Sequence, residues 1–310
     1  MLSDGTRIID NEGFVYYALS IYPDRRLPYD LSPKYNNMTS RCQYKFKIFK
    51  IDSDLVVVFY KDVQFFKVKF KRLIGFPISL SKNHTNEIVL FNKLKSDPTI
   101  KEAYLSKYEV DTIIKADLEE VSNDFITYVD EAKKKMNSKW RCKHQINTIK
   151  NKCLIMRKAS INDYQQISDL FDSWVQYKEG IDFKAYTTKM NKIRKNFDKW
   201  IDSIYVLDLY GTIISVSIFD FVSKDDVHYL FSYFYNAHHY PASLEEHRSV
   251  FVQMSNVHYY YVINLLDELG YTMYRYGSAE TDSLYKFKYR YANEVMTYHK
   301  LKLNDISFKE

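Results

Sequence analysis

Glycine and proline are scarce in this chain, and the spacing of the glycines limits the folds open to it. Only seven of the 310 residues are glycine and six are proline, whereas average usage is about 7% Gly and about 5% Pro. No two glycines lie within five positions of each other, so neither a G-x-G-x-x-G motif nor a Walker phosphate loop can occur. This spacing excludes standard Rossmann dehydrogenases, P-loop NTPases and protein kinases.

Composition places the chain among ordered proteins that can bury one or two cores, with 46% hydrophobic and 27% charged residues. Cys42, Cys142 and Cys153 form no C-x-x-C pair, the N-terminus does not resemble a signal peptide, and the apolar runs are shorter than the ~18 residues of a membrane span. We therefore expect a cytoplasmic protein without a membrane span. The net charge of +6 permits contact with nucleic acid, and the many Lys, Asn, Ile and Tyr residues are typical of an AT-rich genome, including a viral one.

The first half of the chain is predicted to be rich in strands. Gln43–Lys50 alternates between apolar and basic residues, Ile51–Asp54 has turn chemistry, and Leu55–Tyr60 is a continuous apolar run. A third stretch, Val63–Arg72, alternates again near its end. Three strands joined by short turns make a meander, whereas residues 1–40 are predicted to be irregular.

A change of period follows the meander. From Asp117 to Lys139, apolar residues recur at spacings of three and four, which predicts an amphipathic helix leading into a basic stretch. The residues that carry this pattern are Leu118, Val121, Phe125, Tyr128, Ala132 and Met136. We place the domain boundary near residue 150, giving a strand-rich half over 1–150 and a second domain over 151–310.

The second half has a clearer order of elements. Leu154–Met156 is predicted to be a strand, and Ser160 with Asp163 resembles a capping box that opens a helix. The elements predicted after it are a helix over Phe183–Phe197, antiparallel strands Ile204–Leu209, Thr212–Phe221 and Val227–Tyr235, a long helix over Val250–Leu269 stopped by Gly270, a strand Tyr271–Tyr276, a short element Leu284–Arg290 and a last strand Glu294–Leu301.

This order resembles the GNAT acyltransferase fold over roughly residues 153 to 303. Within it, Tyr260–Tyr271 ends a helix in glycine, Tyr274–Gly277 ends a strand in glycine, and Ser283–Tyr291 contains the run L-Y-K-F-K. These segments are similar to the close of FemAB-type and lysyl-phosphatidylglycerol-synthase-type transferases. The resemblance implies an α+β fold with a mixed sheet, in which a GNAT-like C-terminal domain follows a strand-rich, degenerate GNAT-like N-terminal half.

The same resemblance implies the donor, because those families take an amino acid from aminoacyl-tRNA. Ordinary GNATs carry Q/R-x-x-G-x-G/A at the start of the long helix, where glycine lets backbone N–H groups approach the pyrophosphate of acetyl-CoA. The aligned stretch here is Gln253–His258, with Asn256 and His258 in place of the small residues. We therefore expect an activated acyl or aminoacyl donor, aminoacyl-tRNA rather than acetyl-CoA, and no permanently bound cofactor or metal.

Basic and aromatic residues near the C-terminus are the candidates for binding this donor. If Tyr285–Tyr291 is extended, its basic residues form one edge and its aromatic residues the other, which suits phosphate contact and stacking on a base. The alternative is a packed element whose basic residues are only solvated. The predicted donor-binding residues are Gln253, Asn256, Tyr285, Lys286, Lys288 and Arg290.

The candidates for a general base are His228, His239 and Glu280. His228 lies on a predicted strand, His239 on the loop after it, and a neutral histidine there could take a proton from an attacking amine. Glu280 follows Gly277 at the end of a strand, where ligands gather in mixed sheets. The alternative is that the histidines serve only the core or the surface, and metal binding by the histidines at 238, 239 and 247 has no supporting carboxylate or cysteine cluster.

A basic track could also bind nucleic acid, either tRNA or DNA. It comprises Lys45, Lys47, Lys67, Lys69, Lys71, Arg72 and the run from Lys133 to Lys143. Solvation of an outer strand face is the alternative.

Three hypotheses follow. The first is a GNAT-fold transferase that moves an aminoacyl or acyl group onto a nucleophile. The second keeps the fold but makes DNA the acceptor, as in phage-type transferases that attach an amino acid or small group to a base. The third is a non-catalytic GNAT-like module that binds nucleic acid.

Overall fold

The computed structural model describes residues 6–25, 27–28, 31–38, 44–115, 119–138, 153–177, 183–223, 225–279 and 281–308. Up to residue 138 the elements are β1 (Thr6–Arg7), α1 (Glu12–Ser20), α2 (Pro33–Met38), β2 (Tyr44–Ile51), β3 (Asp54–Phe65), β4 (Val68–Ser79), α3 (His84–Lys95), β5 (Ile100–Ser106), α4 (Lys107–Ile113), β6 (Ile114–Lys115), β7 (Glu119–Tyr128) and α5 (Val129–Ser138).

The remaining elements begin at residue 154. They are β8 (Leu154–Lys158), α6 (Tyr164–Tyr177), α7 (Phe183–Lys195), α8 (Phe197–Trp200), β9 (Ile204–Leu209), β10 (Thr212–Phe221), β11 (Asp226–Phe234), α9 (Arg248–Val252), α10 (Met254–Glu268), β12 (Met273–Arg275), α11 (Asp282–Tyr291), β13 (Glu294–Lys302) and β14 (Ser307–Phe308). None of the described helices is both long enough and apolar enough to cross a bilayer.

The described residues form two compact units that interleave along the chain. The first holds the residues up to Phe125 together with those of 278–285 and those from Glu294 on, and the second holds those of 126–277 and 286–293. The predicted boundary near residue 150 and the basic stretch before it fall within 139–152, outside the described residues. The two-domain division therefore stays a prediction.

The sheet of the first unit is covered on both faces. Its strands follow the order β1-β2-β3-β4-β5-β13, in which β4 and β5 are parallel and the other neighbours antiparallel. Successive residues of a strand point to opposite faces, so Val56 and Val58 of β3 join one core with Phe91 of α3, while Val57 joins another with Val15 of α1. Burial on both faces explains the unbroken apolar run in β3.

The sheet of the second unit runs from the end of β7 through β12, β11, β10 and β9 to β8. The β11–β12 pair is parallel and the others are antiparallel. Phe171 of α6 packs edge-on against Tyr233 of β11, with ring centroids 5.0 Å apart. Met254 and Val257 of α10 share a buried cluster with Leu207 of β9.

Both halves of the chain repeat one order of elements. In each, helices precede three antiparallel strands, which are followed by a helix, a strand parallel to the third, a further helix and a closing strand. The closing strands are exchanged, because the last three residues of β7 pair with β12 in the second unit and β13 pairs with β5 in the first. The predicted α+β fold with a mixed sheet is confirmed.

The helix predicted over Asp117–Lys139 is wrong in its first half, which is strand β7. Helix α5 begins only at Val129. The adjacent side chains of Phe125 and Ile126 are both buried, so β7 is covered on both faces. A strand buried on both faces has no period of two, and its apolar residues can fall by chance at helical spacing.

Two further sequence expectations need correction. Residues 1–40 include helices α1 and α2, and Asn11 caps α1 by accepting a hydrogen bond from the N–H of Phe14. The predicted strand Val63–Arg72 contains the turn between β3 and β4, where Phe66 has a φ of +51°. Neither glycine nor asparagine marks this turn, so residue type did not indicate it.

Candidate active site

The parallel strands β11 and β12 of the second unit pair over a short length and then separate. Their register runs from Asp226 opposite Met273 to His228 opposite Arg275, whereas β11 continues to Phe234. In open sheets with parallel strands, ligands bind beyond the carboxyl ends where neighbouring strands part. We therefore take the opening beyond His228 and Arg275 as the candidate active site.

A buried polar cluster lies at the last paired position. The Nε2 atom of His228 is 3.1 Å from Oδ2 of Asp226 and 3.1 Å from Nη1 of Arg275. Nε2 can donate to the carboxylate or accept from the guanidinium, but not both at once. The Nδ1 atom of His228 is buried and has no hydrogen-bond partner among the described residues, so it is the nitrogen left for a ligand.

Lys288 of α11 lies just beyond that position. Its side chain is buried, and its ammonium donates hydrogen bonds to the carbonyl oxygens of Tyr276 and of Gly277, the latter at 3.2 Å. Nζ is also 5.9 Å from the ring centroid of Tyr229 and 5.6 Å from that of Tyr276. Tyr229 and Tyr276 directly follow the last paired residues of the two strands, so the ammonium lies where the strands part.

Tyrosines hold α10 and α11 in place around this lysine. The Tyr291 hydroxyl donates to Oδ1 of Asn256 at 2.6 Å, and the Tyr276 hydroxyl donates to the Lys288 carbonyl at 2.7 Å. The rings of Tyr259 and Tyr291 stack with centroids 4.3 Å apart. The side chain of Asn256, in the first turn of α10, is therefore fixed.

Gln253 lies at the break between α9 and α10, where it precedes the first residue of α10 without capping it through its side chain. Its Oε1 atom is buried and makes no hydrogen bond within the described part of the chain. The single long helix predicted over Val250–Leu269 is thus two helices. Gln253 and Asn256 both lie at the start of the second one, as the resemblance implies.

His258 does not block the start of α10, contrary to the sequence argument. Its imidazole lies against β10, with Nδ1 2.6 Å from the Ser215 hydroxyl and Nε2 3.1 Å from that of Ser217. Burial lowers the pKa of His258 to about 4, so the ring is neutral near pH 7. Of the two side chains, only that of Asn256 remains to hinder close approach by a pyrophosphate.

The corresponding opening in the first unit is closed. Parallel strands β4 and β5 pair as far as Ile74 opposite Tyr104. Beyond this, the buried carboxylate of Glu109 accepts hydrogen bonds from the N–H of Phe76 at 2.8 Å and of Ser106 at 2.9 Å. One side chain of α4 thus ties both strands together, and burial raises its pKa. In the second unit the corresponding helix is α11, and its Lys288 donates hydrogen bonds to two carbonyls on the β12 side.

Residues Tyr285–Tyr291 lie in helix α11, so the extended form that would give a cationic and an aromatic edge does not occur. Lys286 and Arg290, four residues apart, share one side of the helix and are exposed, whereas Lys288 is buried. Tyr285 belongs to the first unit, where its ring packs edge-on against Phe125 at 5.2 Å.

The predicted bases are not brought together. Glu280 lies outside the described residues. His228 lies near the start of β11, whereas His239 follows the other end of that strand. The ring of His239 stacks on Tyr177 with centroids 3.6 Å apart. Burial lowers the pKa of His239. Nowhere in the described ranges do three His, Cys, Asp or Glu side chains form a group that could hold a metal ion.

The residues predicted to form a basic track belong to both units. Lys45 and Arg72 of the meander pair with the carboxylates of Asp62 and Glu102. Lys133 forms an ion pair within the second unit. These pairs neutralise part of the expected positive charge, and nucleic-acid binding by the track stays a prediction.

Sequence reasoning missed Arg275, Tyr229 and Tyr276. Arg275 and Tyr276 do lie in the stretch Tyr274–Gly277 that carries the family resemblance. An arginine in an aromatic strand was the available signal, because a charged residue there must find a buried partner.

Comparison with known proteins agrees with this architecture. No protein-family model matches the chain, and no curated protein matches it in sequence at a significant level. Solved structures do match over nearly the whole length. A conserved protein of unknown function from Bacteroides thetaiotaomicron VPI-5482 is 14% identical, with a TM-score of 0.62 over 95% of this chain and 97% of that one.

FemX and L-PGS from Bacillus licheniformis are among the matching structures that carry names. FemX is 9% identical, with a TM-score of 0.60 over 96% of this chain and 98% of that one. The chain has a FemX-like GNAT fold. L-PGS from Bacillus licheniformis is 10% identical, with a TM-score of 0.53 over 91% of this chain and 89% of that one. The GNAT-like resemblance drawn from the C-terminal half is thereby confirmed, and the structural similarity covers the N-terminal half as well.

Proposed function

We propose that the protein is a transferase that moves an aminoacyl or acyl group from an activated donor onto a nucleophile. The observation that supports this most is the contrast between the two strand openings. The opening in the first unit is tied shut by Glu109. The one in the second unit carries a buried ammonium, tyrosine rings and a histidine nitrogen that has no hydrogen-bond partner among the described residues. The donor site is therefore assigned to the second unit.

In this proposal the residues at the opening have separate roles in the transfer of the acyl group from an ester to an amine. An amine nitrogen of the acceptor attacks the carbonyl carbon of the donor ester, a C–N bond forms, and the ester C–O bond breaks with release of the donor hydroxyl. Nδ1 of His228 takes the proton that the amine loses and passes it to the departing ester oxygen, which leaves as a hydroxyl. The ammonium of Lys288 hydrogen-bonds an oxygen of the donor in place of a backbone carbonyl and stabilises negative charge on it.

Aminoacyl-tRNA is the donor that we favour. The fixed side chain of Asn256 occupies the turn at which ordinary GNATs need glycine, which disfavours the usual approach of acetyl-CoA. The resemblance to FemAB-type transferases points to the same donor. The nucleic-acid partner in this proposal is therefore tRNA, bound as a substrate.

The test is a salt-titrated binding comparison of the whole protein with aminoacyl-tRNA, the same tRNA deacylated, duplex DNA and acetyl-CoA. We expect aminoacyl-tRNA to bind best, and Lys288→Met to weaken its binding roughly tenfold or more, since a hydrogen bond to a charged group contributes about 1.5–3 kcal/mol. Lys184→Met is the control, because Lys184 is an exposed lysine on a helix of the second unit and is not among the predicted donor-binding residues. Circular dichroism of each variant verifies the fold.

Each other outcome contradicts part of the proposal. Equal binding of charged and deacylated tRNA and of DNA, with a steep salt slope, would favour the non-catalytic nucleic-acid module. Preference for duplex DNA would favour the DNA-modifying alternative. Binding of acetyl-CoA alone would show that Asn256 does not exclude a pyrophosphate.

A further inference from the structure

The tip of the β3–β4 hairpin projects beyond the rest of the sheet in the first unit. The register of β2 against β3 ends at Tyr44 opposite Lys61, and that of β5 against β4 begins at Ile100 opposite Lys71. Between these positions, the ribbon over 62–70 pairs with no other described strand. A two-stranded ribbon exposed in this way is only marginally stable by itself, so an apolar face on it needs an explanation.

The ribbon has such a face. Phe65 pairs with Val68 and Val63 with Phe70, and directly opposite residues of an antiparallel pair lie on one face of the sheet. Phe66 follows in the turn. The exposed fractions are 67% for Phe65, 83% for Phe66 and 60% for Val68, far above what an apolar cluster shows when it serves a core.

Positive charge accompanies this apolar tip. Lys69 lies on the opposite face, Lys67 in the turn beside Phe66, and Lys71 two positions further along β4. The ribbon contains one acidic residue, Asp62, whose carboxylate accepts a hydrogen bond from Lys45 at 2.7 Å. The hairpin is therefore amphipathic, with an apolar wedge at its end and ammonium groups around it.

This combination fits the surface of an anionic bilayer better than it fits a nucleic acid. The rings of Phe65 and Phe66 pack edge to face, at 81° and 4.7 Å between centroids, and their neighbour is a valine, so the tip is not a flat platform for stacked bases. Apolar side chains that enter the headgroup region leave nearby lysines free to reach lipid phosphates. Unpaired backbone groups at the ribbon edges limit the entry to that shallow depth.

We propose that the β3–β4 hairpin tip, with Phe65, Phe66 and Val68 as its wedge and Lys67, Lys69 and Lys71 as its cationic rim, inserts into the surface of membranes that contain anionic lipid. The assignment is independent of the donor site, which lies in the second unit. It adds a membrane-contacting surface to a chain whose described helices do not span a bilayer.

Co-sedimentation of the full chain with vesicles tests the proposal. We expect binding to vesicles of phosphatidylcholine mixed with phosphatidylglycerol, and much weaker binding to phosphatidylcholine alone. Phe65→Ser with Phe66→Ser should lower the binding roughly a hundredfold, since two phenylalanine side chains lose their transfer from water. Ile155→Ser with Ile161→Ser is the matched control, because these side chains are 61% and 57% exposed in the second unit.

A second measurement locates the tip directly. Phe66→Trp should shift the protein fluorescence to shorter wavelength when mixed vesicles are added, and Lys67→Gln with Lys69→Gln should abolish the preference for anionic lipid. Vesicle binding that survives in the double serine variant, or an unchanged emission of the tryptophan variant, would overturn the proposal. So would binding of single-stranded RNA or self-association through the hairpin in place of vesicle binding.

Discussion

Acid should destabilise the second unit through one buried histidine. His258 is 7% exposed and lies between the hydroxyls of Ser215 and Ser217, and burial lowers its pKa from 6.5 to about 4. The unfolded chain therefore takes up a proton near the ordinary value, while the folded chain resists it. Between these two values the unfolded state holds more protons, so stability falls as the pH is lowered.

The size of the effect follows from the two pKa values. Integrating the proton uptake, His258 should reduce the free energy of unfolding by about 2 kcal/mol between about pH 7 and about pH 5. The complete difference, reached below about pH 4, corresponds to about 3 kcal/mol. Losses of this size are a large fraction of the stability of a typical domain.

Urea unfolding followed by tryptophan fluorescence measures this loss, because Trp174 and Trp200 belong to the same unit as His258. His258→Gln retains a hydrogen-bonding side chain but cannot titrate. Between about pH 7 and about pH 5 we therefore expect the free energy of unfolding of this variant to decrease by about 2 kcal/mol less than that of the wild type. His238→Gln, at an exposed histidine, is the control and should behave as wild type does. Equal losses in wild type and His258→Gln would refute a neutral, buried imidazole.

Two substitutions test the closed opening of the first unit. Glu109→Ala leaves two buried backbone N–H groups without their acceptor. Each such group costs about 1–3 kcal/mol, so the free energy of unfolding in urea should fall by about 2–6 kcal/mol. An unchanged unfolding midpoint would contradict the tie between the strands. Gly75→Ala should lower the free energy of unfolding by about 2–5 kcal/mol. The reason is that Gly75 has a φ of +74° and that an added Cβ would lie 2.2 Å from Cδ2 of the buried Leu27. Gly13→Ala, with open space around its Cβ inside α1, should instead stabilise the chain by about 1 kcal/mol in the same assay, and a loss in both alanine variants would refute the packing argument.

The amino-acid sequence by itself determined most local structure in the second half. Ser160 and Asp163 do form a capping box, with the N–H of Ser160 donating to the Asp163 carboxylate at 2.6 Å. Gly270 ends α10 with a φ of +80°, and the three antiparallel strands before that helix lie within one residue of their predicted ends. These features depend on neighbours within a few positions, so residue type and spacing were sufficient to predict them.

The candidate site depended on residues far apart in sequence. Lys286, Lys288 and Arg290 are alike in sequence, and only the packing of α11 buries Lys288 against the carbonyls of Tyr276 and Gly277. His258 was correctly predicted to lie on a helix. The orientation of its ring depends on hydrogen bonds with two serines of β10. No local pattern encodes such contacts.

The exchange of closing strands was decided by tertiary structure alone. β7 is buried on both faces, so its apolar residues carry no strand period and resemble a helix in sequence. The sequence correctly predicts that β13 is a strand. Its partner, however, is β5, far earlier in the chain, with Tyr298 opposite Ser106. Local sequence indicates most of the strands. The choice of partner depends on which apolar faces each unit must cover, and this is settled only when the whole chain packs.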